Sequence, residues 1–315
     1  MVEMAQGNIP FFEKNLKEII RRNVRAGRLA YSTDLEGFAR KTQVIFLAED
    51  NADNLTDIAV RIAKLANKPP IISIVTPVPV GTAEALEKSL KKAGAQATIV
   101  TQPMFFTDGC AVEDFNWPDR LILGATSTEA VQVLKQIFHP LVMRGVPVIV
   151  TNQATAELVR EAATAFVATK ISFINEAAAL CERVGADAVN LALALGLDKK
   201  IAPRCLQPGA GMGGVFAESD MESLTQLASA HGVQMRVLSA AREVNHTLTD
   251  VLLDKIALAL NTVEGKDVGL LGLASSQTPI PSRDRPRFGS PRAWFPVALA
   301  FALMTRLPFR RHERT

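Results

Sequence analysis

From Val44 onward, short runs of β-favouring residues alternate with stretches of helical period. VIFLA (Val44 to Ala48), IISIV (Ile71 to Val75), RLILGA (Arg120 to Ala125) and PVIVT (Pro147 to Thr151) read as strands. Helical patterns lie between them at Leu55 to Ala66, Thr82 to Lys92 and Thr128 to Phe138. Strands alternating with helices predict a parallel α/β sheet covered on both faces. Ahead of this block, NLKEIIRRNVRAGR (Asn15 to Arg28) predicts an amphipathic helix closed by Gly27, and LAYST (Leu29 to Thr33) a short strand. After it the pattern turns wholly helical: one long helix over Thr155 to Val184, then Asp187 to Leu195, Asp220 to His231 and Met235 to Leu253. The segment IAPRCLQPGAGMGGVFAESD (Ile201 to Asp220) interrupts that region as a loop. Gly209, Gly211, Gly213 and Gly214 allow close approach of a ligand to the backbone, and Asp220 is placed to start the next helix.

With 315 residues and 48% hydrophobic content, the chain is long enough for two domains with cores of their own. Its net charge of +3 is unevenly held. Residues 275–315 carry eight Arg against Asp284 and Glu313, a balance of +6, which leaves −3 for residues 1–274 and no nucleic-acid footprint. Cys110, Cys181 and Cys205 are scattered, and with His139, His231, His246 and His312 they show no metal-ligand spacing and no disulfide framework. Glu3, Glu13, Lys14 and Lys17 break up any apolar signal sequence, so a cytoplasmic setting is expected. AWFPVALAFALM (Ala293 to Met304) contains Pro296 and falls short of the roughly 20 residues needed to span a bilayer, so no membrane partner is expected.

The glycine loop has company. AELVREAATAFVATKISFINEAAALCERVGADA (Ala156 to Ala188), GLDKKIA (Gly196 to Ala202), EVN (Glu243 to Asn245) and VGLLGLA (Val268 to Ala274) occur in an order and spacing that closely resembles the UDP-glucose 6-dehydrogenase family. These nucleotide-sugar dehydrogenases oxidise a sugar alcohol to a carboxylate with two NAD. The resemblance runs from about Asn8 to Ala274 and needs no gap from Ala156 to Asp220. It implies an incomplete doubly wound, Rossmann-like NAD domain over residues 1–152, then a long connecting helix and helical dimerisation domain over 153–254. The start of a UDP-sugar domain would follow at 255–274, with DVGLLGLA (Asp267 to Ala274) as its first strand. It also implies a homodimer, with UDP-glucose as substrate and no metal.

The family pattern at Asn8 to Arg28 normally follows a strand, a glycine-rich pyrophosphate turn, a helix and a second strand, so the chain is expected to lack this first βαβ unit. Strand order 3-2-1-4-5-6 would then leave inner edges unpaired. The turn after VIFLA has Glu49, Asp50 and Asn51 where the family has Val-Gly-Thr-Pro. The next turn keeps the cofactor-side residues Pro79, Val80, Gly81 and Thr82 but has Pro77 in place of a water-positioning Thr, and a pyrrolidine offers no side-chain hydrogen bond.

In the family mechanism a Lys assists alcohol oxidation, a Cys thiolate captures the aldehyde, and a Glu helped by an Asn and an Asp hydrolyses the thioester. Carried over by position, the Glu of Asn-Pro-Glu-Phe is Met104, the Lys is Arg160, the Asn is Thr164 and the Cys is Phe216; a Lys beside the Asp is Ser219, and only the Asp, Asp220, is retained. A thioether carries no useful proton, and Arg keeps a charge but cannot shuttle one. Cys110 is the one cysteine near the degraded segment; Cys181 and Cys205 are expected to be buried structural thiols. Lys200 takes the place of an Arg that reaches the neighbouring subunit's sugar-nucleotide site, and Gly209, Gly211, Gly213 and Gly214 trace the substrate loop. Asn175 reads equally as a site residue or a helix-helix hydrogen bond, and Lys170 as a solvated charge.

Residues 275–315 are expected to be an out-of-frame or disordered tail. SSQTPIP (Ser275 to Pro281) is what Phe-Lys-Pro-Asn-Thr-Asp-Ser becomes when one nucleotide is dropped. The expectation is a family member that is catalytically inactive and whose own NAD binding is in question. The alternatives are a working nucleotide-sugar oxidoreductase with altered residues and a non-catalytic interaction protein.

Overall fold

In the computed structural model the described residues are Met4, Ile9, 11–49, 51–107, 109–213, 215–261 and Gly269. They form two compact units, the first running through Arg160 and the second from Glu161 onward. Gly214, the strand expected at Asp267 to Ala274 apart from Gly269, and the tail at 275–315 lie outside the described residues.

The first unit opens with α1 (Leu16–Arg25) and α2 (Leu35–Lys41). It then alternates β1 (Val44–Leu47), α3 (Ala52–Leu65), β2 (Ile71–Ile74), α4 (Thr82–Lys92) and β3 (Thr98–Thr101). The short α5 (Ala111–Asn116) leads to β4 (Leu121–Gly124), α6 (Thr128–Ile137), α7 (His139–Val142) and β5 (Val148–Thr151). The sheet order is β1-β2-β3-β4-β5. Side chains on the two faces build two separate cores. Ile45, Leu47, Ile72, Ile74 and Ile99 pack under α3 and α4 through Leu55, Ile62, Leu86 and Leu90. Val100, Leu121 and Leu123 pack under α6 and α7 through Val131, Leu134, Phe138 and Leu141. Alternate residues of one strand pointing to opposite, equally apolar faces are what a doubly covered sheet requires.

Two expectations need correction. The sheet is mixed, because β3 and β4 pair antiparallel, Thr101 opposite Gly124, while the other neighbours are parallel. Only the short α5 lies between β3 and β4, so no full helix carries the chain back to begin β4 in the same direction. Leu29 to Thr33 forms no strand; a strand exists through pairing, and no described strand lies beyond β1. The chain there passes instead to Asp34, whose carboxylate accepts the Gly37 amide at 2.9 Å and starts α2.

The second unit is helical. It takes all but the first two turns of α8 (Gln153–Val184), followed by α9 (Ala188–Leu197), α10 (Val215–Ala230) and α11 (Arg236–Leu260). Ala165 and Ala168 of α8, Met221 and Leu224 of α10 and Leu238 of α11 share one core, the small α8 residues allowing close helix approach. α10 begins at Val215, so Asp220 lies inside the helix rather than capping it, and Phe216 belongs to its first turn rather than to the loop.

Candidate functional site

Within the first unit the turn after β2 is held from a distance. Gly81 adopts φ 96°, a left-handed conformation suited to glycine, and caps α4 without a side chain of its own. Its amide and that of Ala83 are taken by Glu157 at the start of α8, at 2.7 and 2.8 Å, one to each carboxylate oxygen. Glu157 is buried, so its carboxyl meets the positive end of α4 out of reach of water. Thr82 turns its hydroxyl back onto the Pro79 carbonyl at 2.6 Å. Sequence reasoning passed over Glu157; the only local signal is that α4 lacks a cap within its own sequence.

The same closure recurs. Asn51 accepts from the Asn54 amide at the start of α3, Ser127 from Ala130 at α6, and Asn152 from Thr155 at α8. Each of the four longer helices that follow a strand in this unit therefore has one or two N-terminal amides engaged by a protein side chain. In a doubly wound fold the dinucleotide pyrophosphate sits at a glycine-rich first βα turn, and the described turns ahead of these four helices do not carry that glycine pattern.

Met104 is half-buried against the α6 core, and its backbone carbonyl receives Nη1 of Arg160 at 3.3 Å. Arg160, at the family's Lys position, is thus drawn to the backbone of the residue at the family's Glu position. Cys110 is half-buried ahead of α5 and its amide bonds to the Thr107 carbonyl. Pro77 lies in the turn between β2 and α4. Two cavities of about 450 and 540 Å³ in this unit, one beside Lys91 and Ser127 and one beside Asp34 and Arg61, include none of these positions.

In the second unit Thr164 of α8 donates its hydroxyl to Asp220 Oδ2 at 3.0 Å. One turn earlier, Glu161 is buried and accepts from Ser223 Oγ at 2.7 Å, while its other carboxylate oxygen is buried with no hydrogen-bond partner. Burial pushes the Glu161 carboxyl above its ordinary value, the charge of Asp220 adds to this, and the Ser223 bond opposes it. The approach of Glu161 on α8 to Asp220 on α10 was not foreseen from the sequence, because Glu161 falls between the positions the family uses.

The loop residues are fixed by side chains. Asn175 Oδ1 accepts the Gly209 amide at 2.9 Å, and its Nδ2 donates to the Ile171 carbonyl, so it ties a loop to a helix and not one helix to another. Asn245 of α11 pairs with Met212 through both halves of its amide, at 2.7 and 2.8 Å. Lys170, expected as a solvated charge, donates to the carbonyls of Ile201, Ala202 and Arg204 at 3.0, 3.2 and 2.7 Å. It staples a turn in which Ala202 and Cys205 both take left-handed φ. Lys200, Gly209 and Gly213 are exposed. Cys181 is buried as expected but Cys205 is exposed, its backbone being bent outward in that turn. Among the described residues no cluster of His, Cys, Asp or Glu could hold a metal, and no helix is long and apolar enough to cross a membrane.

Comparison with known proteins accounts for this arrangement. A family model for the UDP-glucose/GDP-mannose dehydrogenase NAD binding domain matches residues 1–142, and one for the family's central domain matches residues 154–247. UDP-glucose 6-dehydrogenase YwqF of Bacillus subtilis (strain 168) is 32% identical over 296 residues, covering 90% of this chain and 67% of the relative. The UDP-glucose 6-dehydrogenase of Rhizobium meliloti (strain 1021) is 33% identical over 298 residues, covering 90% and 68%. A UDP-glucose dehydrogenase structure from the hyperthermophilic archaeon Pyrobaculum islandicum superposes with TM-score 0.85 at 26% identity, covering 97% of this chain and 71% of that one. With both family domains matched in order and relatives above 30% identity across most of its length, the chain belongs to the UDP-glucose/GDP-mannose dehydrogenase family.

Proposed function

We propose that this chain is a catalytically silent member of its family. The observation that carries the reading is the set of residues at the family's reacting positions: Phe216 for the nucleophile, Met104 for the base, Arg160 and Thr164 for the Lys and Asn. None of the first three can form a thiohemiacetal or exchange a proton at neutral pH. Their bonding supports the reading. Arg160 reaches a backbone carbonyl and Thr164 reaches Asp220, so the retained acid already has a partner within the protein. NAD is the family's cofactor; the lack of a glycine-rich pyrophosphate turn among the described turns of the first unit favours a chain that does not hold it by itself. A cytoplasmic setting is inferred from three free cysteines of unremarkable spacing.

A second reading, compatible with silence, is assembly. On α8, Phe166, Phe173 and Leu180 recur every seven residues and are 68%, 56% and 60% exposed, and Val189, Leu193 and Leu197 repeat every four on α9 with similar exposure. A heptad of exposed large apolar residues on a long helix favours a second helix against it, and we infer a homodimer through this face. The experiment that tests silence is direct: full-length protein with UDP-glucose and NAD should give no rise in NADH absorbance, and sustained turnover would overturn the reading.

A further inference from the structure

We propose that Asn175 and Asn245 are positioning residues that hold residues 209–213 in one preformed shape, making the loop's geometry a property of α8 and α11 instead of the glycines alone. This rests on the reading of that segment as the nucleotide-sugar loop. Four observations carry it. Asn245 meets Met212 as one peptide meets another, accepting its N–H at 2.7 Å and donating to its C=O at 2.8 Å. Asn175 fixes the other end by accepting the Gly209 amide at 2.9 Å, and is itself oriented by donating to Ile171. Between these anchors Gly211 lies at φ 92°, and a Cβ there would stand 2.7 Å from Asn245 Oδ1 and 2.8 Å from Leu248 Cδ1. The loop therefore presses onto the side chain that anchors it. Finally, among the described residues the amides of Ala210, Gly211 and Gly213 have no acceptor, while the clamp takes those of Gly209 and Met212.

Glycine loops are entropically costly to order, and a ligand that must order one loses affinity by the fraction of time the loop is formed. Two amide clamps remove that cost before the ligand arrives. An amide is required because each Asn uses both a donor and an acceptor, which neither Asp at neutral pH nor Ala supplies.

The test is hydrogen exchange across residues 206–213 of the full chain, wild type against Asn175→Ala, Asn245→Ala and Asn245→Asp, alongside calorimetric binding of UDP-glucose. Both alanine variants should exchange about fivefold faster in this segment, with residues 222–230 of α10 unchanged. Asn245→Asp should exchange faster than wild type at neutral pH and return to the wild-type rate at matched acidic pH, when its protonated carboxyl can both donate to and accept from Met212; a residue that merely filled space would keep a constant ratio to wild type across pH. If Asn245→Ala does not fold, Asn175→Ala and Asn245→Asp decide the matter. Exchange in the alanine variants within about twofold of wild type would overturn the proposal. Failure of the wild type to bind UDP-glucose would sink the nucleotide-sugar reading while the exchange result still decides the clamp.

Discussion

Replacing Glu157 by Ala tests how much of the first unit's order depends on one buried carboxylate. The substitution removes two charge-assisted hydrogen bonds, to Gly81 and Ala83, and leaves both amides facing a cavity. A bond to a charged group contributes about 1.5–3 kcal/mol net, so the loss should be about 3–5 kcal/mol. Glu157→Gln keeps one acceptor and the volume but loses the charge on the α4 terminus, which points to about 2 kcal/mol. No local residue compensates, since Gly81 offers no side chain and Glu84 in the first turn is exposed and paired with Lys88. Because the chain has two compact units, a single unfolding midpoint would blur the effect. Urea titration followed by hydrogen exchange across residues 79–92 reads it locally. If Glu157→Ala unfolds this region within about 0.5 kcal/mol of wild type, the carboxylate is not what holds the turn, and the argument from buried charge fails.

Three further outcomes follow from the second unit. The Glu161 carboxyl is raised in the folded protein, so the folded state holds its proton more tightly than the unfolded chain, and the associated stability is lost as pH rises from the ordinary value of 4.5 through the raised one. Glu161→Gln should therefore match wild type in acid and become progressively more stable than it as pH rises, measured by urea melts over a pH series; a constant difference would refute the assignment. Gly211→Ala should cost about 1–3 kcal/mol, from a left-handed φ and the crowding by Asn245 and Leu248, read as loss of exchange protection at Met212. Phe173→Glu should convert the dimer into a monomer by light scattering, because it places a charge in the middle of the exposed α8 heptad; an unchanged mass would assign the interface elsewhere.

What the sequence disclosed follows from which interactions are local. β1, β2, β4 and β5 are marked by runs of Val, Ile and Leu, and α4 by Thr82 and the lysines at its end, so pattern alone finds them. β3 has as many β-branched residues in TIVT, yet so short a run directly after a turn carries no alternation to separate it from a loop. Leu29 to Thr33 fails in the opposite sense, having strand composition without a neighbour to pair with. α2 is concealed by Gly37 in its first turn, although Asp34 is a sound cap. At the candidate site, the substituted positions were legible one by one through the family resemblance, but what they bond to was not. Glu157 and Gly81 are 76 residues apart, and Thr164 and Asp220 are 56 apart, and no periodicity records such pairs. Lys170 looks solvated in sequence because its three partners are backbone carbonyls, which are present everywhere and signalled nowhere.

The most direct measurement is a product assay that bounds any residual rate. Loss of a covalent nucleophile can cost on the order of 10⁶ in rate, and losses within one catalytic unit do not add, so the remaining substitutions need not be invoked. Full-length protein at high concentration is incubated for many hours with UDP-glucose and NAD, and UDP-glucuronate is quantified by mass spectrometry beside an active UDP-glucose 6-dehydrogenase. The account expects no product above the protein-free control. UDP-glucuronate accumulating in proportion to protein and time would contradict it, and would mean that residues other than Phe216, Met104, Arg160 and Thr164 carry the chemistry.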